Sequence, residues 1–505
     1  MQSAKSQLSS RPIATKPAIY ALLTIAGLSF CFFLGFPFDN HNESFLWIVV
    51  FNKVSLWDTL TKQVIGIETF RPLGMAAAWL GYHLSGNIYL QQLINWIFAI
   101  SSFLLLFFAA RNKIFFSLIS FITGACFFAG YIYLFHLHGV FYGPFQLYVA
   151  LLTTIGWQQK NLTLKILVLT AIATFIISLY HTFALLVFCS FLVGYLLQLQ
   201  KPFRKADYTG LVIALLLTLG FAKIILHAKE LKSLRALTDG LVVSFKMAEV
   251  AGSVSVVAMI LSVWAASAVF KPISQKLTLC SFVALLSILF LYWQLPVLMI
   301  WVVVCAINMI VAGNRVIAAL IAGTALLPLG SGSGSPTYVV FVLMICSFVT
   351  ASATASDIPD FPWLRKLSLA GVLLLTVCLL AIKKGVRVPV LGSIAKPILA
   401  EQEKTHQFKD IIEWKLKNKS YEPFVLQIYD PWILPVKSNN SIDRVNRPVT
   451  EQSDLDEYMR FFSNGSYNNT KNAVLYVTFG DKILNEKNLV FSVEGKWNGR
   501  AYVFR

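Results

Sequence analysis

Long apolar runs constrain the fold of this chain more than any other sequence feature. Between residues 18 and 382, predominantly apolar runs of about 17 to 25 residues recur, which is the length that crosses a bilayer as a helix. The chain is 57% hydrophobic and only 13% charged, so its charged fraction is far below that of soluble domains. We therefore predict a polytopic α-helical membrane protein with about 13 transmembrane helices.

Short basic segments predict the orientation of these helices, because Lys and Arg in short loops favour the cytoplasmic side. The segments "QQKNLTLK", "KPFRK" and "GNR" alternate with "HLHGVFYGPF", "SLYHTF" and "PLGSGSGSP", which we expect to face outward. The basic leader predicts a cytoplasmic N-terminus, followed by a retained first helix at about 18–36. The net charge of +18 then reflects topology, and we expect no nucleic-acid partner.

The composition changes after about residue 384. The segment "EQEKTHQFKDIIEWKLKNKS" has helical periodicity, whereas "VLYVTFG", "LVFSVEG" and "KWNGRAYVFR" are typical of short strands. We predict a membrane domain over 1–384, with its first outward loop at 37–72. A small extracytoplasmic α/β domain over 385–505 follows it.

Several function classes lack their motifs. The chain has no Walker A sequence, no GxGxxG after a strand and no HExxH, which argues against ATP, dinucleotide and zinc-protease sites. Its seven cysteines fall in apolar runs and match neither a metal motif nor a disulfide framework. We expect no cofactor and no metal.

Acidic residues gather in the first outward loop. Asp39 and Glu43 directly follow the predicted first helix, with His41 between them. Acids at a membrane face are costly to desolvate, and they mark functional sites there. For any single acid, a solvated loop residue is an equally good interpretation.

A second feature is "GIETFRPLGMAAAWLGYHLSGN", which contains Glu68 and Arg71. The Arg71 guanidinium offers a planar fork of donors suited to phosphate or carboxylate. A simple ion pair with Glu68 at a helix start is the alternative. Pro72 suits the first turn of a short outer helix, and a crossing should follow at about 88–110.

Two further segments should meet the outer face. In "PLGSGSGSP", Ser331, Gly332 and Ser333 come just before a predicted helix. Their backbone N–H groups could bind an anion at that helix start. A flexible turn is the other interpretation. His136, His138 and His181 suit contacts with lipid headgroups or substrate, although packing explains them equally well. Two His at i and i+2 do not share a helix face, which argues against a metal site.

The first-loop acids followed by "FRPLG" and "SGNIYLQQLINW" resemble the GT-C membrane glycosyltransferases, several branches of which have an Arg-Pro-Leu element and a GxNxxxxHxxN-like stretch. Gly86, Asn87 and Asn95 match, whereas Gln91 or Gln92 stands at the usual His. The layout also resembles bacterial enzymes that glucosylate O-antigen. The chain lacks the paired Asp-Asp or Asp-Glu dipeptide of many members, so either first-loop acid remains a candidate.

The resemblance implies an inverting glycosyltransferase of the bacterial inner membrane, with its C-terminal domain in the periplasm. It would move a sugar from a polyprenyl-phosphate donor to a cell-surface glycan or lipopolysaccharide acceptor. Asp39 or Glu43 would be the general base, and Arg71 with Ser331, Gly332 and Ser333 would hold the donor phosphate. The implied supporting or acceptor-binding residues are Glu68, His41, Tyr82 and His83.

A transporter or flippase of lipid-linked sugar is the alternative function. Such proteins usually contain inverted repeats around a site at the bilayer midplane. The chain has no evident internal repeat, and its acids lie in the first outward loop rather than within the apolar runs. These features favour chemistry at the membrane surface.

Overall fold

The computed structural model describes residues 54–61, 71–85, 89–159, 162–198, 252–269, 273–328, 336–353, 425–429, 474–479, 489–496 and 499–504, with a few single positions between these ranges. This part of the chain is mostly helical and ends in a small β-sheet. Its helices are α1 (Leu56–Thr61), α2 (Pro72–Ser85), α3 (Tyr89–Ala109), α4 (Lys113–Gln158), α5 (Leu164–Ser178), α6 (Ala184–Gln198), α7 (Gly252–Ser267), α8 (Ile273–Tyr292), α9 (Leu298–Val311), α10 (Arg315–Ala325) and α11 (Pro336–Ala353).

Helices α2 and α3 begin and end close to where the sequence predicts. Pro72 is the first residue of α2, where its missing N–H removes no helical hydrogen bond. The Trp79 indole N–H donates to the Val54 carbonyl at 2.8 Å, which ties α2 to the segment that starts α1. The predicted short outer helix and the following crossing are thus two separate helices.

Helix α4 corrects one prediction. The segment 136–145 was expected to be an outward loop, but it lies inside this 46-residue helix, which includes Pro144. A straight helix of that length would measure about 69 Å, more than twice the hydrocarbon thickness of a bilayer. Gly and Pro signal turns in isolated sequence, but a helix tolerates them where neighbouring helices support it.

Helix α11 lies at the centre of the described helices. Every residue from 338 to 352 is buried, including Phe341 and Phe348. The Trp301 indole N–H of α9 donates to the Thr350 hydroxyl at 3.0 Å. Such full enclosure explains why α11 is apolar all round.

Helices α5 and α8 present large apolar side chains outward and bury some hydroxyl groups, although Ser274, Thr278 and Ser281 of α8 are exposed. On α5, Thr170 and Thr174 are buried, whereas Ile172 and Phe175 are 54% and 66% exposed. On α8, Ser287 is buried. The outward face of α8 carries Leu277, Phe282, Leu285 and Ile288. This pattern is the reverse of a water-facing helix.

Among the described helices, α8 alone has both the length and the apolar composition of a membrane crossing. Seven further apolar helical stretches are 10 to 17 residues long. The predicted count of about 13 crossings includes segments outside the described residues, such as 18–36.

Several buried hydroxyl groups are satisfied within their own helices. The hydroxyls of Thr153, Ser262 and Thr324 donate to the carbonyls four residues earlier at 2.6 to 2.8 Å. The side chains of Asn112 and Asn314 accept N–H groups at the starts of α4 and α10. Because an unpaired polar group in an apolar environment is costly, these bonds let polar residues occupy the core.

Two of the predicted cytoplasmic segments, "QQKNLTLK" and "GNR", meet at one end of α6. The Tyr195 hydroxyl donates to the Gln159 carbonyl at 3.0 Å, and the Asn314 amide donates to the Gly156 carbonyl at 3.3 Å. The Arg315 guanidinium donates to the Leu197 carbonyl. The basic segments that contain Gln159 and Arg315 therefore lie at the same end of α6.

The C-terminal sheet contains β1 (Val425–Tyr429), β2 (Val474–Phe479), β3 (Leu489–Val493) and β4 (Ala501–Phe504). Its strand order is β1-β2-β4-β3. The predicted strands β2, β3 and β4 are present, and β1, which the sequence analysis missed, pairs parallel to β2. Described positions from 403 to 417 are helical, as expected, and Trp414 stacks on Phe491 at 4.7 Å. Helix and sheet thus form the predicted α/β pattern.

Candidate functional site

Four polar or aromatic side chains from distant segments meet at the other end of α6. They come from the residue before α2, from α4, from the α5–α6 turn and from the start of α11. We call this group the His181 cluster, and its members are Arg71, Tyr142, His181 and Tyr338. Because the α5–α6 turn precedes α6 and Leu197 lies next to its last residue, the cluster and the Arg315–Leu197 contact lie at opposite ends of that helix.

Local backbone bonds fix the position of Arg71. Its carbonyl accepts the Met75 N–H at 3.0 Å, so Arg71 caps the start of α2. The Leu73 N–H donates to the Leu179 carbonyl at 3.2 Å, which joins the same helix start to the α5–α6 turn. The N–H groups of a helix start normally lack helical partners, and here one of them binds a neighbouring segment.

The Tyr338 hydroxyl is the meeting point of the cluster. The Arg71 guanidinium and the Tyr142 hydroxyl both hydrogen-bond to it. Tyr338 is only 5% exposed, whereas Arg71 remains partly exposed. The arrangement therefore places a cation at the surface and a buried phenol directly behind it.

His181 completes the cluster from the α5–α6 turn. It is fully buried, and its Nε2 lies 3.4 Å from the Tyr338 hydroxyl oxygen. Its Nδ1 accepts the Phe183 N–H at 3.3 Å. The imidazole is thus held between its own turn and α11.

Aromatic rings enclose the imidazole of His181. The ring of Phe145 stacks on it at 4.9 Å with an angle of 15°, and the Tyr142 ring lies 5.1 Å away. Phe183 contributes a third ring at 5.1 Å. These contacts fix the orientation of the imidazole plane.

Most of the predicted site residues lie outside the described residues. These are Asp39, His41, Glu43, Glu68, Ser331, Gly332 and Ser333. The Gly/Ser segment nevertheless leads directly into α11, whose Tyr338 touches Arg71. The predicted phosphate-binding Arg71 therefore lies beside the helix start that the Gly/Ser segment precedes.

Tyr82 and His83 lie elsewhere on α2. They are about 17 to 18 Å from Arg71 along the helix axis, given the rise of an α-helix. The His83 ring packs against Trp79 at 3.9 Å and against Tyr82 at 5.2 Å. The structure thus groups His83 with Trp79 and Tyr82 on α2, and both predicted residues lie outside the His181 cluster.

Two cluster residues were missed in the sequence analysis. Tyr142 and Tyr338 are aromatic residues in apolar runs, a pattern that many core residues share. Tyr338 follows the Gly/Ser segment closely, and a buried tyrosine needs a partner for its hydroxyl. These were the available signals, but neither indicates which segments the tyrosines contact.

In the part of the chain that the structure describes, no group of three or more His, Cys, Asp and Glu side chains is placed to hold a metal ion. The expectation of a metal-independent site stays a prediction. Comparison of the chain with known protein families, characterised proteins and solved structures finds no match.

Proposed function

We propose that this chain is an inverting glycosyltransferase of a bacterial inner membrane, with about 13 crossings. Its donor is a polyprenyl-phosphate-linked sugar, and its acceptor is a cell-surface glycan or lipopolysaccharide on the periplasmic side. The observation that carries this proposal is the contact between Arg71 and Tyr338. This contact joins the Arg-Pro-Leu element to the start of α11, the helix that follows the Gly/Ser segment in the chain.

The exposed apolar faces of α5 and α8 support the membrane setting. Ile172, Phe175 and Phe282 are each more than half exposed, and lipid would cover such side chains at no cost. The small polar residues on the inward faces suit helix packing within a bilayer. A donor with a polyprenyl tail requires such a setting.

Arg71 suits the phosphate of this donor. As the bond between the sugar carbon and the phosphate oxygen breaks, negative charge develops on that oxygen, and fixed donors beside it lower the barrier. The guanidinium of the partly exposed Arg71 supplies charge, and its bond to Tyr338 preorganises it. The Gly/Ser backbone from Ser331 to Ser333 would add N–H donors.

The first loop supplies the base in this proposal. The carboxylate of Asp39 or Glu43 accepts the proton of the acceptor hydroxyl. The acceptor oxygen then bonds to the sugar carbon from the face opposite the phosphate, and polyprenyl phosphate leaves. The configuration at that carbon is inverted.

A transfer assay tests the proposal. Membranes would receive a labelled polyprenyl-phosphate sugar and acceptor, with Arg71→Ala, Asp39→Asn and Glu43→Gln compared at matched protein level. We expect Arg71→Ala to lower turnover about 10²- to 10³-fold, because one fixed donor of charge stabilisation is removed. One carboxylate change should abolish product.

Arg111→Ala is the matched control, since Arg111 is exposed at the corner between α3 and α4. It should transfer sugar as the unaltered protein does. Equal transfer by all variants would move the active site away from Arg71 and the first loop. Movement of lipid-linked sugar across the membrane without product would favour the transporter function.

A further inference from the structure

We propose that His181 is a positioning residue that fixes Arg71 through the Tyr338 hydroxyl. This inference rests on the proposed function, in which Arg71 binds the donor phosphate. The structure supplies two contacts in series, from the His181 Nε2 to the Tyr338 hydroxyl at 3.4 Å and from that hydroxyl to the Arg71 guanidinium. His181 itself is fully buried and acts through its neighbours.

The backbone of the α5–α6 turn selects the tautomer of His181. A backbone N–H can only donate, so the Nδ1 that accepts the Phe183 N–H at 3.3 Å must hold a lone pair. The neutral imidazole therefore carries its hydrogen on Nε2. That nitrogen faces Tyr338, so His181 donates to the tyrosine oxygen.

The bond from His181 to Tyr338 then has a fixed direction. The Tyr338 oxygen accepts from the His181 Nε2–H and also bonds to the Arg71 guanidinium, which can only donate. The Tyr142 hydroxyl is a further hydrogen-bond partner of the same phenol. Contacts from three segments therefore hold the phenol in place, and the guanidinium bound to it is held with it.

Ring contacts keep the imidazole in the orientation that this direction requires. Phe145 stacks on one face at 4.9 Å, and the rings of Phe183 and Tyr142 are tilted against the imidazole, each at 5.1 Å. A ring flip would place a carbon opposite Tyr338 and would leave the Phe183 N–H without its acceptor. The packing therefore maintains the hydrogen-bond pattern as well as filling space.

Two substitutions separate the donor role of His181 from its packing role. A glutamine amide reaches the position of Nε2 and keeps a donor toward Tyr338, whereas an asparagine amide reaches only the position of Nδ1. Both His181→Gln and His181→Asn lose the ring that stacks on Phe145. Tyr338→Phe keeps every ring and removes only the hydroxyl.

The experiment measures sugar transfer by the full chain in membranes. We expect His181→Asn and Tyr338→Phe each to lower kcat/KM by at least about tenfold, as for a lost bond to a charged group. His181→Gln should regain most of what His181→Asn loses. The double variant His181→Asn with Tyr338→Phe should be no worse than Tyr338→Phe alone, because both changes break the same series of contacts.

A second readout does not depend on transfer. The rate at which phenylglyoxal modifies Arg71, followed by mass spectrometry, should rise at least about threefold in His181→Asn and Tyr338→Phe, and it should change little in His181→Gln. The exposed Arg111 serves as the internal reference. If the unaltered protein transfers no sugar but this pattern holds, the proposed function fails and the positioning role stands.

Equal behaviour of His181→Gln and His181→Asn in both readouts would overturn the inference and assign His181 to packing. If His181→Asn transferred more sugar than His181→Gln, the inference would also fail. The role of His181 would then be to accept the Phe183 N–H within the α5–α6 turn, because asparagine retains that acceptor. Additive losses in the double variant would also overturn the inference, because they would separate His181 from Tyr338.

Discussion

Lys113 stabilises the corner between α3 and α4 through hydrogen bonds of its side chain. The Lys113 ammonium donates to the carbonyls of Phe107 and Phe108, each at 2.8 Å, and to that of Ala110 at 3.2 Å. The last carbonyls of a helix lack helical partners, and a cation beside them also meets the negative end of the helix dipole. Lys113 therefore caps α3, although it belongs to α4.

We predict that Lys113→Met lowers the free energy of unfolding by about 1 to 2 kcal/mol, because it removes three charge-assisted bonds and keeps the aliphatic stem. Thermal unfolding in detergent measures the change. Lys165→Met is the matched control, since Lys165 is exposed at the start of α5, and it should shift stability by at most about 0.5 kcal/mol. Equal changes in the free energy of unfolding for Lys113→Met and Lys165→Met would show that the Lys113 cap contributes nothing to stability.

At the scale of elements, glycines set the distance between α6 and α10. A Cβ added to Gly194 would lie 2.5 Å from the Cα of Val316, and one added to Gly323 would clash with Ser190. Small residues at a crossing let two helix backbones approach closely. The α6–α10 contact thus depends on the absence of side chains at these positions.

We predict that Gly194→Ala destabilises the protein by about 1 to 3 kcal/mol despite the better helix propensity of alanine. The propensity gain is at most about 1 kcal/mol. The clash involves backbone atoms of α10, which cannot rotate away, so overpacking dominates. Val193→Ala is the control, because Val193 is an exposed neighbour on the same helix. If thermal unfolding showed a smaller loss of stability for Gly194→Ala than for Val193→Ala, the close contact between α6 and α10 would be contradicted.

At the scale of the whole molecule, the proposed membrane setting rests on the arrangement of polar and apolar residues in the described helices. Thr174 of α5 is buried, and its hydroxyl bonds to that of Tyr148 at 2.5 Å, whereas Ile172 faces outward. In water this arrangement would leave a large apolar surface exposed. In lipid it places the polar groups where they can bond to one another.

We predict that Ile172→Lys impairs membrane insertion, because a lysine within the bilayer costs about 2.5 to 3.5 kcal/mol or more. Alkaline carbonate extraction of membranes measures the retained fraction. Gln158→Lys, an exposed change at the end of α4, should leave retention unchanged. Unchanged retention and higher solubility of Ile172→Lys would indicate that water, not lipid, surrounds α5.

Local signals in the sequence were sufficient to predict the helical character of the chain, the start of α2 at Pro72 and the strands β2, β3 and β4. Hydrophobic periodicity, proline position and turn residues act over a few neighbouring residues, so a single sequence reveals them. The sequence also indicated Arg71 as a candidate, because a cation beside a long apolar run is costly. The roles of Asp39 and Glu43 stay predictions.

Only the tertiary structure decided that 136–145 is helical and that Tyr338 and His181 lie beside Arg71. Neighbouring helices override the local turn signals of Gly143 and Pro144. The His181 cluster depends on how α2, α4, α6 and α11 cross. These crossings follow from the packing of side chains distant in sequence, as at Gly194, and no short segment carries that information.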